Sequence, residues 1–321
     1  MCLRFLAIGF VLVLNGYSVA RAQSNNMKTH IYKQVGALDI KADIYSLSGD
    51  AVSPAVIWIH GGALINGNRE GVIESFRDQL IARGCTFVSI DYRLAPETKL
   101  PQIHEDVVDA VRWVREVGPT KFGIDASRVA VAGGSAGGYL TLVCGYRVQP
   151  PPQALVSVSG YGDLIGSWYS QPSKHVRHNS MKATPEKAIA QVTGNPIADS
   201  RDRKGDGRLF YQYCRQTGLW PKLVTGWDPT TESEKFFPYM PLRNVSPKYP
   251  PTLLIHGDAD TDVPFEQSTL MQQVLVQSGV ENQLIRLAGG EHGLAANTAE
   301  KVSQTIDSAV GFILSKLKTR D

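Results

Sequence analysis

Three short stretches hold side chains and spacings that could carry out acyl transfer. "GGSAGG" (Gly133 to Gly138) sets one serine among glycines, directly after an apolar run and before a helical pattern. "HGDADTDVP" (His256 to Pro264) supplies three carboxylates within five residues, and "AGGEHGL" supplies His292 in a glycine-rich loop. A serine hydroxyl becomes a nucleophile only when a base takes its proton, and the base needs an acid to hold its tautomer. G-x-S-x-G between a strand and a helix is the arrangement that lifts a serine Oγ above a sheet, with the positive end of the helix beneath it. Ser135 is therefore the candidate nucleophile. Among the seven histidines, His292 is the candidate base because it follows the last predicted strand, where open α/β sheets build their sites. Asp258, Asp260 and Asp262 are all candidates for the acid. Asp260 is favoured, with Asp262 the runner-up and the others left to shape the turn or face solvent.

A fourth stretch completes the chemistry. "HGGALINGN" (His60 to Asn68) closes an apolar run with two adjacent glycines, each of which costs backbone entropy. Acyl transfer places negative charge on a carbonyl oxygen, so donors must be aimed there in advance. The expected donors are the N–H groups of Ala136, which follows the nucleophile, and of Gly62 and Ala63 in this loop.

The elements that must position these groups are legible as apolar runs. Candidate strands are Leu38 to Tyr45, Ala55 to His60, Thr86 to Tyr92, Arg128 to Gly133, Ala154 to Gly160, Thr252 to Gly257 and Gln283 to Gly289. Most are continuous rather than alternating, as when both faces of a parallel sheet are covered. The first alternates and is expected near an antiparallel edge. Between them, "HEDVVDAVRWVREVG" puts Val107, Val108, Val111 and Val114 on one helical stripe that ends near Gly118. "PFEQSTLMQQVLVQSG" and "AEKVSQTIDSAVGFILSKLK" behave alike, and the alternation of strand and helix argues for an open α/β sheet. The pattern breaks between residues 163 and 243, which are rich in tryptophan, tyrosine, phenylalanine and proline. This stretch is too long for an ordinary connection and too aromatic for disorder, and it reads as an inserted cap.

Bulk properties narrow the partners. Residues 1–22 carry Arg4, an apolar stretch from Phe5 to Leu14 and the small-x-small sequence Ala20-Arg21-Ala22. They read as a signal peptide cleaved after Ala22, with an uncleaved anchor the alternative. Export, to the periplasm or beyond, is the expectation, and residues 23–321 would form a single domain. Removal of Arg4 and Arg21 with no acid lowers the formal charge from +3 to +1, which argues against nucleic acid or an anionic membrane as main partner. Cys85, Cys144 and Cys214 remain, too few for a disulfide scaffold, and are expected as buried thiols. "DRKGDG" (Asp202 to Gly207) has Lys204 at a ligand position and Tyr213 where a calcium loop needs its closing glutamate, so a solvated loop is the better reading. "NVS" (Asn244 to Ser246) is a glycosylation sequon.

Taken together, His60-Gly61-Gly62-Ala63, "DYRLAPE" (Asp91 to Glu97), "GGSAGG", "HGDADTDVP" and "EHG" (Glu291 to Gly293) resemble the hormone-sensitive-lipase-like branch of the α/β-hydrolase superfamily. The resemblance spans most of the chain after residue 22. It implies a mostly parallel sheet flanked by helices, with the cap inserted between the sixth and seventh core strands. It implies a serine carboxylesterase for small or medium acyl esters that needs no cofactor or metal. It assigns Ser135, His292 and Asp260 as the triad and makes Asp91 and Arg93 structural, fixing the loop below the site. Three positions depart from the family pattern. Ala63 stands where a third glycine is usual, Gly134 where an acidic residue is common, and few residues precede the first strand where cap helices are usual. "HGxxDxxVP" is also similar to prolyl oligopeptidase and to feruloyl and acetylxylan esterases. A carbohydrate esterase, a serine peptidase or amidase, and a catalytically silent binding protein are therefore the alternatives.

Overall fold

A computed structural model describes residues 27–46, 52–205 and 207–318. The expected signal peptide and its cleavage point lie outside the described residues. Eight strands form one sheet in the order β1-β2-β4-β3-β5-β6-β7-β8. They are β1 (Met27–Val35), β2 (Leu38–Tyr45), β3 (Ser53–Ile59), β4 (Thr86–Ile90), β5 (Ile124–Gly134), β6 (Leu155–Val158), β7 (Thr252–Gly257) and β8 (Asn282–Leu287). β1 pairs with β2, and β2 with β4, in antiparallel register; all other pairs are parallel. The alternating run 38–45 is thus the second strand, and the edge is β1, "MKTHIYKQV", a polar stretch without an apolar run to mark it. Its exposed, lysine-containing face conceals the strand pattern and suits an edge that must not recruit a neighbour.

β3 shows how the sheet divides the core. Ala55, Ile57 and Ile59 face one side and Val56 and Trp58 the other, all five buried, following the two-residue period of a strand. On the Val56 side lie α1 (Glu74–Ala82) and, at the end of the chain, α10 (Ala299–Lys316). On the Ile57 side lie α2 (Leu100–Phe122), α3 (Ala136–Arg147) and α9 (Glu266–Gln277). α2 runs past Gly118, where sequence reasoning stopped it, and ends at Gly123 in the left-handed region (φ 64°). Gly118 serves packing instead, because a Cβ there would sit 3.0 Å from the Ile124 side chain.

Between β6 and β7 the chain carries α4 (Ser167–Ser170), α5 (Val176–Asn179), α6 (Pro185–Ile189), α7 (Arg208–Thr217), α8 (Trp220–Thr225) and several 3-10 turns. The aromatic residues that drew attention in the sequence pack here. Tyr169 stacks on Trp168 at 3.7 Å and on Trp220 at 4.0 Å. Asn244 of the sequon donates its side-chain amide to the carbonyls of Phe237 and Met240, closing the turn that leads back to β7. Cys85, Cys144 and Cys214 are buried free thiols, and burial pushes the Cys85 thiol up to about 11. Among the described residues no helix is long and apolar enough to cross a membrane.

Candidate active site

β5 runs directly into Ser135, which sits at φ 56° and ψ −119°, a conformation that a non-glycine residue holds only when its surroundings enforce it. The enforcement is local. The Ser135 N–H donates to the Val158 carbonyl at the end of β6 (2.8 Å), and the Ser135 carbonyl accepts from Tyr139 N (3.0 Å) as the cap of α3. Gly133 and Gly137 allow the bend, because a Cβ on either would overlap backbone: Gly133 against Gly137 and Ile59, Gly137 against Ile59 and His60. Gly134 has open space instead, its nearest prospective contact being the Trp58 ring at 3.9 Å.

The loop after β3 is the second component. Gly62 has φ 107°, and the two residues after it, Ala63 and Leu64, hold left-handed φ values of 57° and 63°. The Gly62 carbonyl accepts from Ile65 N (2.9 Å) and Asn66 N (2.8 Å), which winds the segment into a tight turn. Among the described residues the N–H groups of Gly62 and Ala63 donate to no protein acceptor, and Ala136 opens α3, so its N–H has no partner within the helix. The loop is fastened from outside. Trp220 Nε1 donates to the Ala63 carbonyl (3.1 Å), the Arg203 guanidinium donates to the carbonyls of Ile65 and Ala95, and Arg203 also pairs with Glu97 (2.7 Å). Asp91 receives Arg69 N (2.7 Å) and Arg69 Nη1 (2.8 Å) at the end of the same loop, and Arg93 forks onto Asp106 at 2.7 Å through both Nε and Nη2. Asp91 thus ties down the end of the loop after β3, whereas Arg93 ties its own segment to α2.

The three aspartates separate cleanly. Asp258 binds Arg286 (2.7 Å) and Gly289 N (2.6 Å) and shapes the turn. Asp260 Oδ2 meets His292 Nδ1 at 2.7 Å, while Asp260 Oδ1 accepts from Asp262 N (2.8 Å) and Val263 N (2.9 Å). Asp262 does not reach Nδ1; its Oδ2 lies 3.9 Å from His292 Nε2 on the other side of the ring. Burial opposes the charge on Asp260, but the hydrogen bonds from His256 and His292 outweigh it and hold the carboxyl well below its ordinary range. His292 feels the opposite balance. Burial would lower its pKa, but the Asp260 hydrogen bond and the charges of Asp262 and Asp260 outweigh burial and Arg177, so the net direction is up. Ser135 Oγ makes no hydrogen bond to His292 among the described residues; such contacts commonly tighten only when substrate is bound.

Several residues in this arrangement escaped sequence reasoning. His256, at the end of β7, bonds Asp260 Oδ2 (3.1 Å) and Ser268 Oγ (2.7 Å) and so braces Asp260 from behind. Ser159 Oγ receives Gly293 N (3.0 Å) and tethers the histidine loop to the end of β6. His178, Tyr211 and Arg215 all reach Asp262 from the segment between β6 and β7. None carries a local motif: these contacts of Ser159, His178, Tyr211 and Arg215 are at least 47 residues away in sequence, and only those of His256 are near, 4 and 12 residues away. A cavity of about 280 Å3 lies beside Asp262, lined by Trp168, Lys174 and Arg215 among others; Ser135 and His292 do not line it.

A parallel sheet with an antiparallel edge, helices on both faces and a sharp turn at Ser135 between β5 and α3 make the architecture of an α/β hydrolase. The particular family follows from comparison with known proteins: the profile of the BD-FAE family matches residues 42–275, and the chain belongs to that family. The chain is 27% identical over 269 residues to Esterase LipC of Mycobacterium tuberculosis (strain ATCC 25618 / H37Rv), covering 81% of this chain and 58% of that protein. It is 29% identical over 307 residues to the non-reducing polyketide synthase Preu6 of Preussia isomera, covering 85% of this chain and 14% of that protein. The chain therefore spans under two thirds of either curated relative. Among solved structures it superimposes on an alpha/beta hydrolase superfamily protein from Enterococcus faecalis with a TM-score of 0.69 and 22% identity, covering 89% of this chain and 98% of that one.

Proposed function

We propose that the protein is an exported serine carboxylesterase that cleaves small or medium acyl esters, with export resting on the leader-like pattern of residues 1–22. Ser135 Oγ attacks the ester carbonyl, and His292 Nε2 takes its proton. Asp260 holds the His292 tautomer and stabilises the imidazolium. The oxyanion is received by the N–H groups of Gly62, Ala63 and Ala136. His292 then protonates the leaving alcohol, and water attacks the acyl-enzyme by the same route in reverse. The segment 163–243 serves as a cap, bonded to both the Ala63 loop and the Asp262 loop. The observation that carries this reading is the 2.7 Å Asp260–His292 Nδ1 contact beside a serine held in a strained strand-to-helix turn. The test is hydrolysis of nitrophenyl acetate, butyrate and octanoate beside Ser135→Ala. Loss of at least ~10^4-fold in kcat is expected for the variant. A folded protein that cleaves amides and no ester would shift the reading to a peptidase.

A further inference from the structure

Asp262 is held in an unusual way. Its Oδ1 accepts from three side chains of the segment between β6 and β7: His178 Nε2 (2.9 Å), Tyr211 OH (2.5 Å) and Arg215 Nη1 (3.3 Å). Arg215 Nη1 also binds the Asp262 carbonyl (3.0 Å). His178 Nδ1 meets Ser173 Oγ (2.8 Å), which leaves Nε2–H to donate to Asp262. Every one of these donors is directed at Oδ1 or at the main chain. The second oxygen, Oδ2, stays clear of them and faces His292 Nε2 at 3.9 Å, with Arg177 Nη2 at 3.8 Å. A carboxylate that needed only structural satisfaction could be met on both oxygens. Here one is saturated and the other is turned toward the nitrogen that must receive the serine proton.

We propose that Asp262, in the loop after β7 and oriented by side chains of the inserted segment, is a second carboxylate for the catalytic base, which positions the His292 ring and stabilises the imidazolium formed when Ser135 gives up its proton. The proposal rests on the triad reading above. When the proton moves from Ser135 Oγ to His292 Nε2, the positive ring lies between Asp260 on the Nδ1 side and Asp262 on the Nε2 side. The charged groups facing the ring are these two aspartates, Arg177 from α5, and Glu291 from the histidine's own loop, which Arg177 pairs with. Arg177 opposes Asp262 and so sets the balance. The insertion is then part of the catalytic apparatus, because three of its side chains fix the orientation of a charge that acts on the base.

The experiment compares wild type, Asp262→Asn and Arg177→Gln by the pH dependence of kcat/KM on nitrophenyl butyrate and by NMR titration of the His292 ring. Asp262→Asn is expected to move the acidic limb and the ring titration to lower pH while the alkaline plateau falls about tenfold. Arg177→Gln is expected to move both to higher pH. A residue with only a structural role would lower the plateau and leave the limb in place, and that result overturns the proposal. A ring titration displaced by less than about 0.3 pH unit in both variants also overturns it. If Asp262→Asn does not fold, Asp262→Ser takes its place, and a ring titration unmoved from wild type is the overturning result. Ring titrations displaced as expected in a protein that cleaves no ester would support the coupling and refute the esterase reading.

Discussion

Gly61→Ala places one methyl directly between the loop after β3 and the turn around Ser135. The added Cβ would stand 2.9 Å from the Gly134 carbonyl oxygen and 3.2 Å from Ser135 Cβ. Normal carbon–oxygen contact needs several tenths of an ångström more, and both obstacles belong to the turn around Ser135 rather than to a flexible side chain end. The strand-to-helix bend is already fixed by Gly133 and Gly137 against Ile59. The loop of Gly62 and Ala63 must therefore retreat from Ser135. Overpacking of this kind costs about 1–3 kcal/mol of stability. A displaced oxyanion donor costs about 10^2- to 10^3-fold in kcat, or roughly 3–4 kcal/mol of barrier. Gly134→Ala is the control, since its Cβ meets nothing closer than 3.9 Å and should leave kcat within about threefold. The assay is kcat on nitrophenyl butyrate with Tm measured in parallel. Equal kcat for Gly61→Ala and wild type, or equal losses for both alanine variants, would refute the argument that close approach is the reason for glycine in this loop.

Two further outcomes follow from the surroundings of that loop. His60 is buried, stacked on Tyr92 at 4.3 Å with its Nδ1 on the Gly61 carbonyl (2.7 Å), and burial lowers its pKa to about 4 against that partly opposing bond. A histidine whose folded value lies below its unfolded one contributes stability in full above about pH 6.5 and loses it as pH falls toward 4. The whole effect is about 3 kcal/mol, about 2 of it gone by pH 5. Tm measured from pH 7 to 4.5 should fall less steeply in His60→Gln than in wild type, and parallel curves would show that His60 is not the group concerned. Trp220→Phe keeps the stack on Tyr169 but removes the donor to the Ala63 carbonyl. It should lower stability by about 1 kcal/mol and reduce kcat with little change in KM; an unaltered kcat would mean that the Ala63 turn stands without this bond.

What the sequence determined by itself is the chemistry that local backbone geometry dictates. Glycines at 133 and 137 around Ser135, the paired glycines after β3 and a histidine in the last glycine-rich loop announce themselves because a sharp bend or a close backbone approach restricts which residues can stand there. The continuous apolar runs were legible for the same reason: a strand covered on both faces leaves no room for polar alternation. Tertiary structure decided what depends on distant partners. The choice among Asp258, Asp260 and Asp262 turns on which carboxylate meets His292 Nδ1 when the loops after β7 and β8 are brought together, and spacing alone is silent on that. β1 is polar enough to pass for a loop and becomes a strand by pairing with β2. The grip of His178, Tyr211 and Arg215 on Asp262, and of Trp220 and Arg203 on the Ala63 loop, crosses from 47 to 157 residues of chain. No periodicity records such contacts, because they arise only when the inserted segment folds back over the carboxyl ends of the strands.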